Sequence, residues 1–225
     1  SRVADAISEA EADLVLLQET TPESEAYLTS RLRGTYPHIA FRGHQRRYAA
    51  ERFGILSRFP LRDVRFVPPQ RGLFGFVVAR AGLGEREIQI VNVHLQPFSF
   101  SAHGGIRAVL ARSSAVEETH VREIEKVLAE IDSALPAVIA GDFNSLSWFA
   151  APSRLRQRGY VDSFAEALPD PDEHPTWRWP VGEDELKLRI DYIFRDARLR
   201  TRASRIIHNG ASDHGLLVSE FEFVP

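Results

Sequence analysis

The sequence predicts a layered α+β domain in which helices cover the faces of β-sheets. Long segments with the apolar spacing of amphipathic helices are separated by a larger number of short β-rich runs. The 225 residues are 44% hydrophobic, which is enough for one substantial core, and no linker or repeat divides them. We therefore expect a single domain over residues 1–225.

The first third of the chain should alternate helices with short strands. Val3–Ala12 has apolar residues at helical spacing and precedes the apolar run Leu14–Leu17, which predicts a buried strand. Pro22 suits the first turn of a second helix, and Gly34 suits its end. Further strands are expected near His38–Phe41, Arg52–Ser57 and Arg62–Val67.

The rest of the chain is expected to add a hairpin, a long helix and the closing strands. Phe74–Ala81 and Glu87–His94 predict the hairpin, and apolar positions across Ser113–Leu135 predict the helix. Leu168–Asp184 is dense in proline and acids, so it is predicted to be a loop. The other expected elements are a strand at Ala137–Ala140, a short helix near Ser153–Arg158, and strands at Arg189–Phe194, Leu199–His208 and Gly215–Phe223.

Composition excludes several kinds of chemistry. The chain has no cysteine, so disulfides, thiolate metal sites and cysteine nucleophiles are ruled out, and any metal must be held by oxygen or imidazole. The net charge of -3 argues against a uniformly basic surface for nucleic acid. No apolar run approaches the roughly 20 residues that span a bilayer, and no signal peptide is recognisable.

Acids, amides and imidazoles occur where apolar runs end. A strand end carries such a side chain to the rim of a sheet, while the core fixes its position. The candidates are Glu19, His94, Asp142 with Asn144, Asp191, and Asp213 with His214. They supply hard oxygen ligands and two imidazoles, the donor set that suits Mg²⁺, with Mn²⁺ as an alternative.

Several of these residues could instead have purely structural roles. Glu19 could be an ordinary acid at a strand end, and His94 could be a histidine with satisfied hydrogen bonds in the core. Asp191 could form an ion pair with the nearby Arg189, or it could pair with His214 and set the tautomer of a catalytic imidazole. Trp177 and Trp179, flanked by prolines, could stack on a ligand or pin their segment to the core.

Five segments that contain these candidate residues resemble, in their order along the chain, the successive motifs of the endonuclease/exonuclease/phosphatase superfamily. They are Leu17-Gln18-Glu19-Thr20, Val91-Asn92-Val93-His94-Leu95, Ala140-Gly141-Asp142-Phe143-Asn144-Ser145, Arg189-Ile190-Asp191-Tyr192-Ile193 and Ser212-Asp213-His214. Each motif is weak alone, but five in order cover nearly the whole chain. The resemblance implies a four-layer α/β sandwich of two packed, mainly antiparallel β-sheets flanked by helices, with a magnesium site at one sheet edge.

The resemblance also implies roles for the candidates. Glu19 would be the main metal ligand, with Asp213 at or near the metal. Asp142 and Asn144 would orient the attacking water and bind the scissile phosphate. His214, oriented by Asp191, would be a general base or would stabilise the phosphate, and His94 would be a second catalytic histidine.

One departure from the family pattern concerns the first strand. The family opens with a strand that carries an Asn at the metal and phosphate site, and we expect this strand to be absent from residues 1–225. The expected activity is magnesium-dependent hydrolysis of phosphodiester or phosphomonoester bonds by a monomer; the alternative is a non-catalytic domain that binds phosphate ligands. Nucleic acid and a phospholipid headgroup both remain open as substrates, the latter through the loop Gln96–Ala102.

Overall fold

The structure is a computed structural model that describes residues 2–44, 51–70, 74–98, 105–181, 183–210 and 212–224, with side chains described outside 105–114. The helices are α1 (Arg2–Ala10), α2 (Pro22–Leu32), α3 (Gly105–Ala129), α4 (Ala150–Gln157) and α5 (Ser163–Ala167). The strands are β1 (Leu14–Gln18), β2 (His38–Gly43), β3 (Arg52–Ser57), β4 (Leu61–Val67), β5 (Phe76–Leu83), β6 (Arg86–His94), β7 (Ala137–Asp142), β8 (Val161–Asp162), β9 (Trp177–Val181), β10 (Asp184–Leu188), β11 (Asp191–Arg195), β12 (Leu199–Ile207) and β13 (Leu216–Phe223).

One layer is a six-stranded sheet in the order β4-β5-β6-β7-β11-β8. Strands β6 and β7 run parallel, and the other neighbours are antiparallel. The outer face packs on α3 and α4, where Ile124, Val127 and Leu155 join the buried core that includes Val91 and Ile139. Strand β6 is buried along most of its length, as expected for a strand covered on both faces.

The facing layer contains the three-stranded sheet β1-β3-β2 and the two-stranded sheet β12-β13. Its inner face packs on the six-stranded sheet, where Phe53 and Ile55 lie against Val77 and Ala79. Its outer face is covered by α1 and α2, and Ile7 of α1 joins a core that includes β1 and β3. The result is the expected sandwich, with two β-layers between two helical layers.

The facing layer is interrupted between β1 and β13. Within the described residues, β1 pairs only with β3, and β13 pairs only with β12. The two strands line a cavity of about 2010 Å³, which also receives apolar side chains from the opposite sheet and from α1: Ile88, Ile90, Val138, Ala140, Ile193, Ala6, Ile7 and Ala10. Between β1 and β13, this cavity has the form of an apolar slot with a strand edge on each side.

Two sequence predictions need correction. Leu168–Asp184 is not a loop throughout, because it contains a 3-10 turn at Pro171–Glu173 and the strand β9, which forms a hairpin with β10. Helix α3 spans Gly105–Ala129 instead of Ser113–Leu135. It ends before Leu135 because the backbone N–H of Asp132 donates to Gln89 and its carboxylate accepts from Ala134 N, which starts a turn.

Two further observations concern membrane contact. No described helix is both long and apolar enough to cross a membrane. Of the loop Gln96–Ala102, residues 99–102 lie outside the described part of the chain.

Candidate active site

The site is built first from the parallel strands β6 and β7, whose register places His94 directly beside Asp142. Gly141 permits this close approach: it has φ +142°, and a Cβ atom there would lie 2.0 Å from the carbonyl oxygen of Val93. The backbone N–H of Leu95 donates to the carbonyl of Asp142 and extends the pairing past the strand end. His94 and Asp142 are both buried, so the surrounding residues hold their side chains in place at the edge of the sheet.

Asn144 continues from Asp142 in a tight turn. Its backbone N–H donates to Asp142 Oδ1 at 2.7 Å, and its φ of +45° is a left-handed conformation that asparagine tolerates. The side-chain amide donates to the carbonyl oxygen of Leu95 at 3.0 Å. This bond leaves the second amide hydrogen and the amide oxygen of Asn144 for other partners.

Asp191 and His214 form a carboxylate–imidazole pair. Nδ1 of His214 lies 2.9 Å from Oδ2 of Asp191. Asp191 is fixed in turn because the backbone N–H groups of Ile190 and Asp191 both donate to the buried hydroxyl of Thr176. The pair orients His214 so that its Nε2 lies 3.9 Å from Oδ2 of Asp142.

The charges around this pair shift two pKa values. Burial alone would lower the pKa of His214, but the charge and hydrogen bond of Asp191, with the charges of Asp142 and Asp213, raise it to about 9. Burial and the neighbouring charge of Asp191 hold the pKa of Asp142 well above its usual range, against the opposing effects of His214 and the N–H of Asn144. Without a bound cation, His214 therefore carries its proton at neutral pH.

Glu19 follows β1 and lies at the rim of the same site. Its Oε1 is 3.8 Å from Nε2 of His94, which is itself 3.7 Å from Oδ2 of Asp142. The Glu19 side chain is 60% exposed, and its φ of +54° is a strained conformation for a residue of this type. The next residue is held firmly, since the hydroxyl of Thr20 donates to Glu25, and Glu25 also binds Arg52.

Asp213 is placed differently from Glu19. Its Oδ2 accepts a hydrogen bond from the indole N–H of Trp177 at 3.0 Å, and its Oδ1 accepts one from the hydroxyl of Ser212 at 3.1 Å. Trp177 also forms an isolated β-bridge with His214. Strand β9 therefore holds the Asp213–His214 segment in place.

The donor set fits a divalent cation. Among the described residues, Asp142, Asp191 and His214 can each offer one ligand atom, and these atoms lie within 4.8 Å of one another. This trio differs from the sequence-predicted ligands Glu19 and Asp213, although the carboxylates of Glu19 and Asp142 both approach the same nitrogen of His94. The carboxylate oxygens suit Mg²⁺, and the added imidazole is also compatible with Mn²⁺.

Three supporting residues were not identified from the sequence. Thr176, in the segment predicted to be a loop, anchors Asp191. Asn92 bridges the two β-layers through bonds to Leu17 O and Gly54 O, and it accepts a hydrogen bond from Gln18. The polar residues at positions 18 and 92 inside apolar runs were the available signal for this bridge, but a single sequence does not show that they pair.

Glu123 of α3 is the third supporting residue. Its carboxylate accepts the backbone N–H groups of Phe74 at 2.7 Å and Gln96 at 3.2 Å, on the two segments next to His94. The ring of Phe74 lies 5.7 Å from that of His94. Burial raises the pKa of Glu123 to about 7, against these two hydrogen bonds.

Arg198 and the arginines of β12 do not form a free basic surface in the described contacts. The described contacts pair Arg198 with Asp196, Arg200 and Arg202 with Glu222, and Arg205 with Glu220. This clustering of arginines is balanced by carboxylates, in agreement with the slightly negative net charge.

The layered α/β fold therefore gathers carboxylates and two imidazoles at one edge of the six-stranded sheet. The chain belongs to the Endonuclease/Exonuclease/phosphatase family, whose family model matches residues 1–214. Members of this family are typically hydrolytic phosphoesterases and generally depend on a divalent metal. No curated protein matches the sequence significantly.

Solved structures show the same fold at low sequence identity. An endonuclease/exonuclease/phosphatase family protein from Leptotrichia buccalis matches 99% of this chain and 92% of its own, with 17% identity and a TM-score of 0.73. A protein of the same description from Beutenbergia cavernae has 19% identity and a TM-score of 0.76, over 99% of this chain and 65% of its own. The human Nocturnin catalytic domain, solved with a bound sulfate anion, has 15% identity and a TM-score of 0.72, over 99% and 85% of the two chains.

Proposed function

We propose that this domain hydrolyses phosphodiester or phosphomonoester bonds by attack of an activated water, with Mg²⁺ as the metal and Mn²⁺ able to replace it. The observation that carries the proposal is the Asp191–His214 pair at 2.9 Å, aimed at a buried Asp142 whose pKa is raised. A carboxylate with a raised pKa is a better base near neutral pH, and an imidazolium stabilises negative charge on a phosphate.

Asp142 is the residue that takes the proton of the attacking water. Its Oδ1 is occupied by the N–H of Asn144, which leaves Oδ2 directed toward His94 and His214. The remaining amide hydrogen of Asn144 donates to a phosphate oxygen. Because burial raises the free energy of the charged carboxylate, proton transfer from water to Asp142 is easier than it would be at the surface.

The two histidines contact the phosphate from different segments, His94 from the end of β6 and His214 from the segment that precedes β13. His214 donates its Nδ1–H to Asp191 and presents Nε2 to the phosphate. The positive charge of the imidazolium offsets the negative charge that develops on the phosphate during attack. His94, between Glu19 and Asp142, donates to the phosphate or to the leaving oxygen. Neither role requires a covalent enzyme intermediate.

Glu19 is the proposed metal ligand at the open side of the site, and Asp213 would contribute at or near the metal. Their carboxylates would provide oxygen donors for a divalent ion. When bound, such an ion polarises the phosphate oxygens and lowers the pKa of a bound water. Asp213 also steadies the site through its bond with Trp177.

The domain assignment is part of the proposal. Residues 1–225 form one phosphoesterase domain, and the apolar slot between β1 and β13 accepts one further β-strand. Both edges of the slot present backbone N–H and C=O groups, which are stabilised when they pair. The slot borders the site, because β1 leads into Glu19 and β13 follows His214.

The proposal is tested by measuring phosphate-ester hydrolysis with added Mg²⁺, after chelator treatment, and after Mg²⁺ is restored. We expect loss with chelator and recovery with Mg²⁺ or Mn²⁺. The His38→Ala variant is the control for replacing a histidine outside the site, because His38 lies on β2, and it should show the same dependence on Mg²⁺. Binding of phosphate esters without turnover in the presence of Mg²⁺ would contradict the proposal and support the non-catalytic alternative.

A further inference from the structure

The hairpin formed by β9 and β10 presents an aromatic face next to the proposed phosphate site. Its register pairs Trp177 with Leu188 and Trp179 with Leu186, so these four side chains share one face. All four line the cavity that contains the site residues. The neighbouring cross-strand pair, Arg178 and Lys187, belongs to the opposite face.

The two tryptophans are stacked nearly parallel. Their ring centroids are 5.9 Å apart, and their planes differ by 13°. Trp177 is half-buried and anchored to Asp213, and its ring centroid lies 6.4 Å from that of His214. Trp179 forms the outer layer of the stack and is 52% exposed. A large aromatic surface is therefore left open to solvent beside the imidazole that faces the phosphate.

From this geometry we infer that Trp177 and Trp179 form a stacking platform for a planar ring of the substrate, which makes nucleotides the preferred class of phosphate ester. This inference rests on the proposed function, because the platform is placed relative to the proposed phosphate site. Stacking accepts any nucleobase, since every base has a π-face.

The parallel arrangement favours a planar ring over a choline headgroup. A quaternary ammonium group is bound by aromatic rings that surround it, as in aromatic cages. Two parallel rings instead present one flat surface, which matches the face of a nucleobase.

A binding experiment tests the platform without requiring turnover. The affinities of adenosine 5′-monophosphate and ribose 5-phosphate, which differ by the base, are measured in the presence of Mg²⁺. We expect the nucleotide to bind about 5- to 150-fold more tightly to the unaltered protein, and we expect Trp179→Ala to remove most of this difference. Trp179→Phe should retain part of it. The control is Trp148→Ala, because Trp148 is 65% exposed and does not line the cavity.

Turnover supplies the second measurement. A short oligonucleotide is compared with one in which abasic residues replace the nucleotides and leave the phosphates unchanged. Trp179→Ala should raise KM for the first by a similar factor, leave kcat within about twofold, and leave the abasic substrate unaffected.

Three results would overturn the platform. One is equal affinity of the unaltered protein for the two monophosphates, and another is an equal effect of Trp179→Ala on both oligonucleotides. The third is a loss of turnover in Trp179→Ala that is confined to a choline phosphodiester assayed beside the two oligonucleotides. Absence of hydrolysis together with a Trp179-dependent preference for the nucleotide would contradict the proposed function while supporting the platform.

Discussion

Asp191 Oδ2 lies 2.9 Å from His214 Nδ1, and this contact joins a strand of the six-stranded sheet to the segment that precedes β13. The Asp191 side chain is 14% exposed and that of His214 is 29% exposed, so water screens their interaction only in part. The contact therefore determines both the orientation and the protonation of the imidazole.

Replacing Asp191 should change the protonation of the His214 imidazole. In metal-free protein, Asp191→Asn should lower the pKa of His214 from about 9 toward its ordinary value, because the charge of Asp191 is the largest effect that raises it. Histidine NMR titration measures this change. Catalytic turnover should fall by about 10²- to 10⁴-fold. An unchanged His214 pKa would show that the pair does not control the imidazole.

The same shift has a defined effect on stability. Because the folded-state pKa of His214 is raised above 6.5, its contribution to stability is present below about pH 6.5 and is lost as pH rises through about 9. The urea unfolding free energy of metal-free protein should therefore decline over that interval. Asp191→Asn should make the decline shallower, and an equally steep decline in the variant would assign it to other groups.

Glu123 should produce a second, lower window of pH dependence. Its pKa is raised from 4.5 to about 7, so its contribution is present below about pH 4.5 and is lost as pH rises through about 7. Glu123→Gln should reduce the fall in unfolding free energy between pH 5 and pH 8 by roughly 2–3 kcal/mol. Urea unfolding at several pH values measures the difference. A parallel curve for the variant would mean that Glu123 is ionised throughout.

The buried ion pair between Arg189 and Asp162 should cost more to break than an exposed pair. Their side chains are 2% and 4% exposed, and the closest atoms are 2.8 Å apart. Arg189→Met would leave Asp162 buried without its partner, so we expect a loss of about 3–5 kcal/mol in unfolding free energy. Arg58→Met, which breaks an exposed pair with Asp13, should cost less than about 1 kcal/mol. Equal losses would contradict the importance of burial.

A strand supplied to the slot between β1 and β13 should stabilise the domain. A segment of alternating apolar residues, fused ahead of Ser1, would bury side chains worth about 1.5–3 kcal/mol each against the opposite sheet. We expect a higher Tm and slower hydrogen exchange at the edges of β1 and β13. A fusion of the same composition with prolines at alternate positions is the control, since proline cannot pair along a strand edge. No added protection would show that the slot does not take a strand.

The sequence predicted most strands because their local patterns are strong. Arg52–Ser57 was predicted with its observed limits, and His94 and Asp142 were placed correctly at strand ends. The hairpin containing Trp177 was missed because prolines and acids conceal its alternation of apolar side chains. Its pairing with β10 depends on contacts across a turn, which composition does not record.

The site was only partly predictable for a related reason. Asp142, Asp191, His94 and His214 were identified by residue type and position, and the structure brings them together. Their partners were not, because Thr176 acts through a hydroxyl that accepts two backbone N–H groups from another segment. The bond between Asp213 and Trp177 likewise depends on the tertiary fold.

The most direct test is a double-mutant cycle on Asp142 and His214, with hydrolysis of bis(p-nitrophenyl) phosphate measured in the presence of Mg²⁺. The two residues face each other at 3.9 Å and are proposed to act on one water and one phosphate. We predict that Asp142→Asn and His214→Ala each lower turnover by about 10³-fold, and that the double variant is little worse than either. Near-normal turnover in either single variant, or no turnover in the unaltered protein with Mg²⁺ bound, would contradict the proposed catalytic site.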